Sequence, residues 1–144
     1  MRPRYETSED RSHEESFANV LHERAGITAW KLPVSYAVDF FALSTEDRPI
    51  WIEFKRRHHQ YGKYPDVILS ALKWWHATSL TSRTGGTFVF AVEFDDQTRV
   101  CHWDPDNPWK PRISHGGRTR DTRDSADVEP VAHIGIERFV SMRT

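Results

Sequence analysis

The stretch PIWIEFKRR, residues 49 to 57, constrains the fold more than any other part of the chain. Ile50, Ile52 and Phe54 alternate with Trp51, Glu53 and Lys55, which is the period of a β-strand. One face of such a strand is apolar. The other carries a carboxylate and an ammonium beside a tryptophan. An unpaired buried charge costs several kcal/mol, so Glu53 and Lys55 require a charged partner, a metal ion or a solvent-filled site.

Upstream, VSYAVDFFAL (34 to 43) is also rich in β-branched and aromatic residues, and the polar stretch STEDR separates it from the first strand, so the two read as a hairpin. Asp39 sits among apolar neighbours there, on the face it shares with Ala37 and Phe41. Pairing of the strands brings Asp39 and Glu53 close together. Two close carboxylates repel, and a divalent cation relieves that repulsion while leaving both ionised.

A helix is expected from Ser12 to about Arg24, with Ser12 and Glu15 as a capping box and Phe17, Val20 and Leu21 at helical spacing, ended by Gly26. Glu14 falls on the stripe of Phe17, Ala18 and Leu21; Glu15 does not. Glu14 is therefore either a first-turn acid favoured by the helix dipole or a third member of the acid group. PDVILSALKWWHATSL (65 to 80) reads as a second helix, started by Pro65, stopped by Gly85 and Gly86, and packed on the sheet with Trp74 and Trp75 in the core. TFVFAVEF (87 to 94) and RVCHW (99 to 103) are further strands, and EPVAHIGIERFVSM (129 to 142) adds a closing one. Residues 1–11 form a polar lead-in, and 104–127 a long loop without periodicity.

The expected architecture is a single α/β domain over residues 1–144, with a mixed central sheet flanked by helices. Cys101 is the sole cysteine, which excludes an internal disulfide and zinc sites of paired cysteines. No apolar run reaches the ~20 residues needed to span a bilayer, and the expectation is a soluble cytoplasmic protein without membrane partners. Lys and Arg number 20 against 21 Asp and Glu, yet KRRHHQYGK (55 to 63) and WKPRISHGGRTRDTR (109 to 123) are locally basic. Arg56, Arg57 and Lys63 in the first and Arg118, Arg120 and Arg123 in the second are candidate phosphate contacts. His58 and His59 are adjacent and cannot share one strand face, which argues against a metal pair. Ser70 and Lys73 have the S-x-x-K spacing of a serine nucleophile, but its partner motifs S-D-N and K-T-G are absent.

EESFANVLHERAG, VSYAVDFFAL, WIEFKRR and SRTGGTFVFAVEF, in this order over residues 13 to 94, resemble the PD-(D/E)xK nuclease superfamily. The likeness is to archaeal Holliday-junction resolvases and short phage-encoded nucleases. Val38 stands where the usual motif has proline. The resemblance implies a restriction-endonuclease-like core and hydrolysis of DNA phosphodiester bonds. It implies metal binding by Asp39, Glu53 and the backbone carbonyl of Phe54, with Glu14 as the helix acid and Lys55 as the catalytic lysine. It also implies that Lys73 reaches nucleic acid, a solvated lysine being the alternative. Hard oxygen ligands select Mg²⁺ or Mn²⁺ over zinc. A non-catalytic DNA-binding or phage structural module on the same fold, and an RNA-directed nuclease, are the alternatives; a homodimer stays open.

Overall fold

The computed structural model describes residues 8–33, 36–117 and 128–142. Helix α1 (Ser8–Ala25) begins before Ser12, which lies exposed inside it with Glu15, so the expected capping box is absent. Gly26 ends the helix in the left-handed region at φ 67°, where its N–H and that of Ile27 fold back onto the carbonyls of His22 and Leu21. Phe17 and Leu21 are buried against Phe40, Ala42, Ile52, Phe54, Ala91 and Val100, and Glu14 is buried on the same stripe, as its spacing predicts.

The strands are β1 (Ala29–Lys31), β2 (Phe40–Leu43), β3 (Pro49–Arg56), β4 (Asp66–Ser70), β5 (Thr87–Glu93), β6 (Thr98–Trp103), β7 (Arg112–Gly117), β8 (Val128–Gly135) and β9 (Phe139–Ser141). Six of them form one sheet in the order β1-β2-β3-β5-β6-β9, and β4-β8-β7 form a second. All pairings are antiparallel except β3 with β5, whose register runs from Ile50 opposite Thr87 to Arg56 opposite Glu93. The result is the α/β architecture with a mixed central sheet that the sequence indicated.

A parallel pair needs a crossover connection, and residues 57–86 supply it through β4 and helix α2 (Ala71–Thr84). Trp74 and Ala77 of α2 pack with Trp51, Phe88, Phe90 and Phe94 of the main sheet side and with Val67, Leu69, Ala132 and Ile134 of the second sheet. Gly86 lets the start of β5 approach β3: a Cβ there would lie 2.1 Å from the Pro49 carbonyl oxygen.

Several expectations from the sequence are corrected. The run 65 to 80 is not one helix, because Asp66–Ser70 is strand β4. Val67 and Leu69 are buried and Ile68 exposed, a period of two, and the strand pairs with β8. A short apolar run cannot be told from a helix by periodicity alone, and here the sheet partner decides. Trp75 is 46% exposed rather than core. Asp39 precedes strand β2 rather than lying within one strand from 34 to 43, and the short β1 went unforeseen. The stretch 104–127 contains β7, and 129–142 splits at a 3₁₀ turn, Ile136–Arg138, into β8 and β9 of different sheets. No helix among the described residues is long and apolar enough to cross a membrane.

Candidate active site

The site is assembled where β2 begins beside the middle of β3. The Asp39 N–H donates to the Ile52 carbonyl at 3.0 Å, and Phe40 pairs with Ile52, so Asp39 faces Glu53 across the strands. The Phe54 N–H donates to Asp39 Oδ2 at 2.8 Å, which fixes the carboxylate against the β3 backbone. Glu53 is 1% exposed. Its Oε2 accepts from Lys73 Nζ at 3.1 Å and lies 3.4 Å from Lys55 Nζ. Its Oε1 is buried without a hydrogen-bond partner.

Lys55 shares the face of Glu53, as alternation requires. Lys73 arrives from α2. Ser70, the N-cap of that helix, accepts the Lys73 N–H at 3.4 Å, so the S-x-x-K spacing is a cap and not a nucleophile motif. A cation in the first helical turn opposes the helix dipole, and this first turn holds no acid of its own. The Glu53 carboxylate offsets that cost, which is why a lysine is tolerated at this position.

Burial, and then the Glu53 charge, push the Asp39 carboxyl up from 3.8 to about 6; the Phe54 N–H, Lys73 and Lys55 act in the opposite direction. With all four groups ionised, the two carboxylates balance the two ammonium groups. Yet one oxygen of Glu53 still lacks a partner, and Asp39 binds its proton more tightly than an ordinary aspartate. Hard oxygen donors that are close together and incompletely satisfied fit a divalent cation.

Glu14 is buried, with Lys31 Nζ of β1 at 3.4 Å from its Oε1. Among the described residues, no group of three or more His, Cys, Asp or Glu side chains converges as a ready-made metal cluster. Lys31 was missed in the sequence because a three-residue strand carries too little pattern to place it.

The basic candidates differ in their surroundings. The Arg56 guanidinium donates to Asp95 Oδ1 at 2.6 Å and to the Glu93 carbonyl at 3.1 Å, and is mostly buried. Glu93 also meets His13 Nδ1 at 3.2 Å, which ties α1 to the end of β5. Arg57 donates to the Ile68 carbonyl at 2.8 Å. These two arginines brace the sheet ends. Lys63 is exposed, over the ring of Tyr64 at 5.5 Å. Arg118, Arg120 and Arg123 lie outside the described residues.

Residues 1–142 match the profile of a family described as "phage putative PDDEXK endonuclease". No curated protein matches the chain. Among solved structures, the chain is similar to Archaeoglobus fulgidus Hjc, a Holliday junction resolvase from an archaeal hyperthermophile, at 19% identity and a TM-score of 0.54. That likeness covers 65% of this chain and 71% of the other. It is one of fold, and it bears out the restriction-endonuclease-like core expected from the sequence.

Proposed function

The chain belongs to the "phage putative PDDEXK endonuclease" family, and we propose that it hydrolyses DNA phosphodiester bonds with Mg²⁺ or Mn²⁺ held by Asp39, Glu53 and the Phe54 carbonyl. The observation that carries this reading is the state of Glu53. The Glu53 carboxylate is 1% exposed, with one oxygen facing two lysines and the other lacking a partner. A buried acid left incompletely satisfied beside a second carboxylate supports a role in chemistry.

When bound, a hard divalent cation supplies Lewis acidity and lowers the pKa of water. The chain's own residues do the rest. Lys73 donates to Glu53 Oε2 and holds that carboxylate in its buried position. Lys55, about one third exposed, has an ammonium that hydrogen-bonds a water or a phosphoryl oxygen at the open side of the site. The Phe54 N–H holds Asp39 Oδ2 against the β3 backbone, which leaves Oδ1 as the oxygen to offer a cation. Glu14 is the helix acid of the site, paired with the Lys31 ammonium at the edge of the sheet.

The test is incubation of the purified protein with supercoiled plasmid, branched DNA and RNA, each with Mg²⁺ or EDTA. Metal-dependent nicking of DNA that is lost in Glu53→Gln supports the reading. Equal activity in EDTA, or cleavage of RNA alone, overturns it.

A further inference from the structure

The face of the main sheet that carries Asp39 and Glu53 also carries a chain of aromatic rings. Trp30, Phe41 and Trp51 occupy one row across β1, β2 and β3, in register. Trp30 stacks on Phe41 at 5.9 Å and 26°. Phe41 meets Trp51 at 4.8 Å, and Tyr36 stacks on Trp51 at 6.3 Å and 22°. The middle of this chain is accounted for by packing, since Trp51 is buried and donates its indole N–H to Thr84 Oγ1 at 2.9 Å. The two ends are not. Trp30 is 51% exposed and Tyr36 43% exposed.

The position of the exposed rings ties them to the acids. Phe41 and Trp51 are each one same-face step along their strands from Asp39 and Glu53, so the aromatic row lies next to the acid row. Tyr36 lies three positions before Asp39 in the chain. Each exposed ring is stacked on one side by another ring, which fixes its plane, and has about half its surface in water.

We propose, on the premise that the site is a nuclease, that Trp30 and Tyr36 are a stacking platform for unpaired nucleobases of the substrate. The preferred DNA then has a single-stranded segment beside the phosphodiester to be cut. Base–aromatic stacking needs an open π-face held in place, and every base can use it without sequence preference. Bases within continuous duplex are already stacked on each other and present edges instead. A second copy of the chain is the other candidate occupant. Two half-exposed aromatic rings display on the order of 200 Å², against roughly 800 Å² that each partner of a stable interface buries. Charged groups lie near the rings in the chain, with Lys31 next to Trp30 and Asp39 three positions after Tyr36. The area and the setting suit a flat ring rather than a protein surface.

The experiment measures affinity in Ca²⁺ for a single-stranded oligonucleotide containing 2-aminopurine and for its duplex. Wild type is expected to prefer the single strand and to quench the 2-aminopurine by stacking. Trp30→Leu and Tyr36→Leu, which keep apolar bulk, should each reduce that preference by roughly 10-fold, the scale of one lost stack. Trp30→Phe and Tyr36→Phe should retain most of it. Thermal melts check folding; if a leucine variant does not fold, wild-type quenching and the phenylalanine variants decide. Metal-dependent cleavage of DNA with no single-strand preference, or with leucine variants like wild type, overturns the platform and leaves the nuclease intact. Binding of no nucleic acid overturns both. A wild-type dimer made monomeric by Trp30→Leu in sedimentation assigns the ring to self-association and also overturns the platform.

Discussion

Lys73 Nζ and Glu53 Oε2 lie 3.1 Å apart, although one belongs to the first turn of a helix and the other to the centre of a sheet, twenty positions earlier in the chain. Lys55, from Glu53's own strand, is slightly farther away at 3.4 Å. The family-type motif residue is thus one of two cations serving the same oxygen. Removing one partner of a buried ion pair leaves the other charge uncompensated, at roughly 3–5 kcal/mol when nothing replaces it. Lys55 still covers part of that loss, so Lys73→Met is expected to destabilise by about 1–2 kcal/mol, less than that full penalty. It should also slow cleavage more than tenfold. Urea melts and plasmid nicking check both.

The raised carboxyl of Asp39 sets a pH dependence of stability. Its folded value of about 6 exceeds the ordinary 3.8, so the fold binds the proton more tightly than the unfolded chain does. That stabilisation is full below pH 3.8 and is lost as pH rises to about 6. The displacement corresponds to an upper bound of about 3 kcal/mol. Asp39→Asn should therefore stabilise the metal-free protein by about 1–3 kcal/mol at pH 8 and by little at pH 4. Melts of both proteins across this range, in EDTA, test the sign.

Divalent cations should reverse that cost. A ligand at about 100 times its Kd stabilises by about 2.7 kcal/mol, so Mg²⁺ or Ca²⁺ should raise the melting temperature of wild type. The rise should disappear in Asp39→Asn and Glu53→Gln. Cation affinity should increase as pH passes through about 6, where Asp39 loses its proton. A rise of equal size in both variants would place the cation elsewhere.

Asp39→Ala, Glu53→Ala and Lys55→Ala are each expected to lower cleavage at least 100-fold while the protein stays folded, a loss of about 2.7 kcal/mol or more in transition-state stabilisation. Glu14→Ala should cost less, because the Glu14 carboxylate is already paired with the Lys31 ammonium. Glu15 is exposed inside α1 and caps nothing, so Glu15→Ala should change stability by no more than about 0.5 kcal/mol. Single-turnover cleavage paired with melts separates these classes.

The basic stretch 109 to 123 makes a separate prediction. Each phosphate neutralised on duplex DNA contributes roughly 0.9 to the slope of log affinity against log salt. Replacing Arg118, Arg120 and Arg123 together with Ala should weaken binding and flatten that slope by about 1 to 3. Titrations in Ca²⁺ at several salt concentrations measure it, and an unchanged slope would free these arginines of any substrate role.

The legible parts of the chain were those with a strong period and a charge out of place. Glu53 and Lys55 in an alternating strand, Asp39 in the preceding segment and Glu14 on a helical stripe could all be placed from spacing. What the sequence concealed depended on partners distant in the chain. Val67, Ile68 and Leu69 form a strand because β8 lies beside them, and no local signal separates that outcome from a helix. Ser70 then caps α2 and sends Lys73 to Glu53, so misplacing the helix start hid that pairing and left Lys73 to be read as a nucleic-acid contact or a solvated lysine. The partners of Arg56, Glu93 and Asp95, likewise come from another strand end and were not legible beside it.

The connection that makes β3 and β5 parallel also orders events in time. Asp39 and Glu53 belong to a local hairpin, and hairpins form within about 1–10 μs. Lys73 reaches Glu53 only after residues 57–86 have closed as a long crossover, and such non-local pairing is slow. The two carboxylates therefore meet before one of the lysines that offset them, and their repulsion falls on the early steps of folding. In stopped-flow refolding, mildly acidic pH or a divalent cation should speed the folding limb more than it slows unfolding. The same pair of acids would thus act, while the protein forms, as a kinetic gate that opens to protons and metal ions.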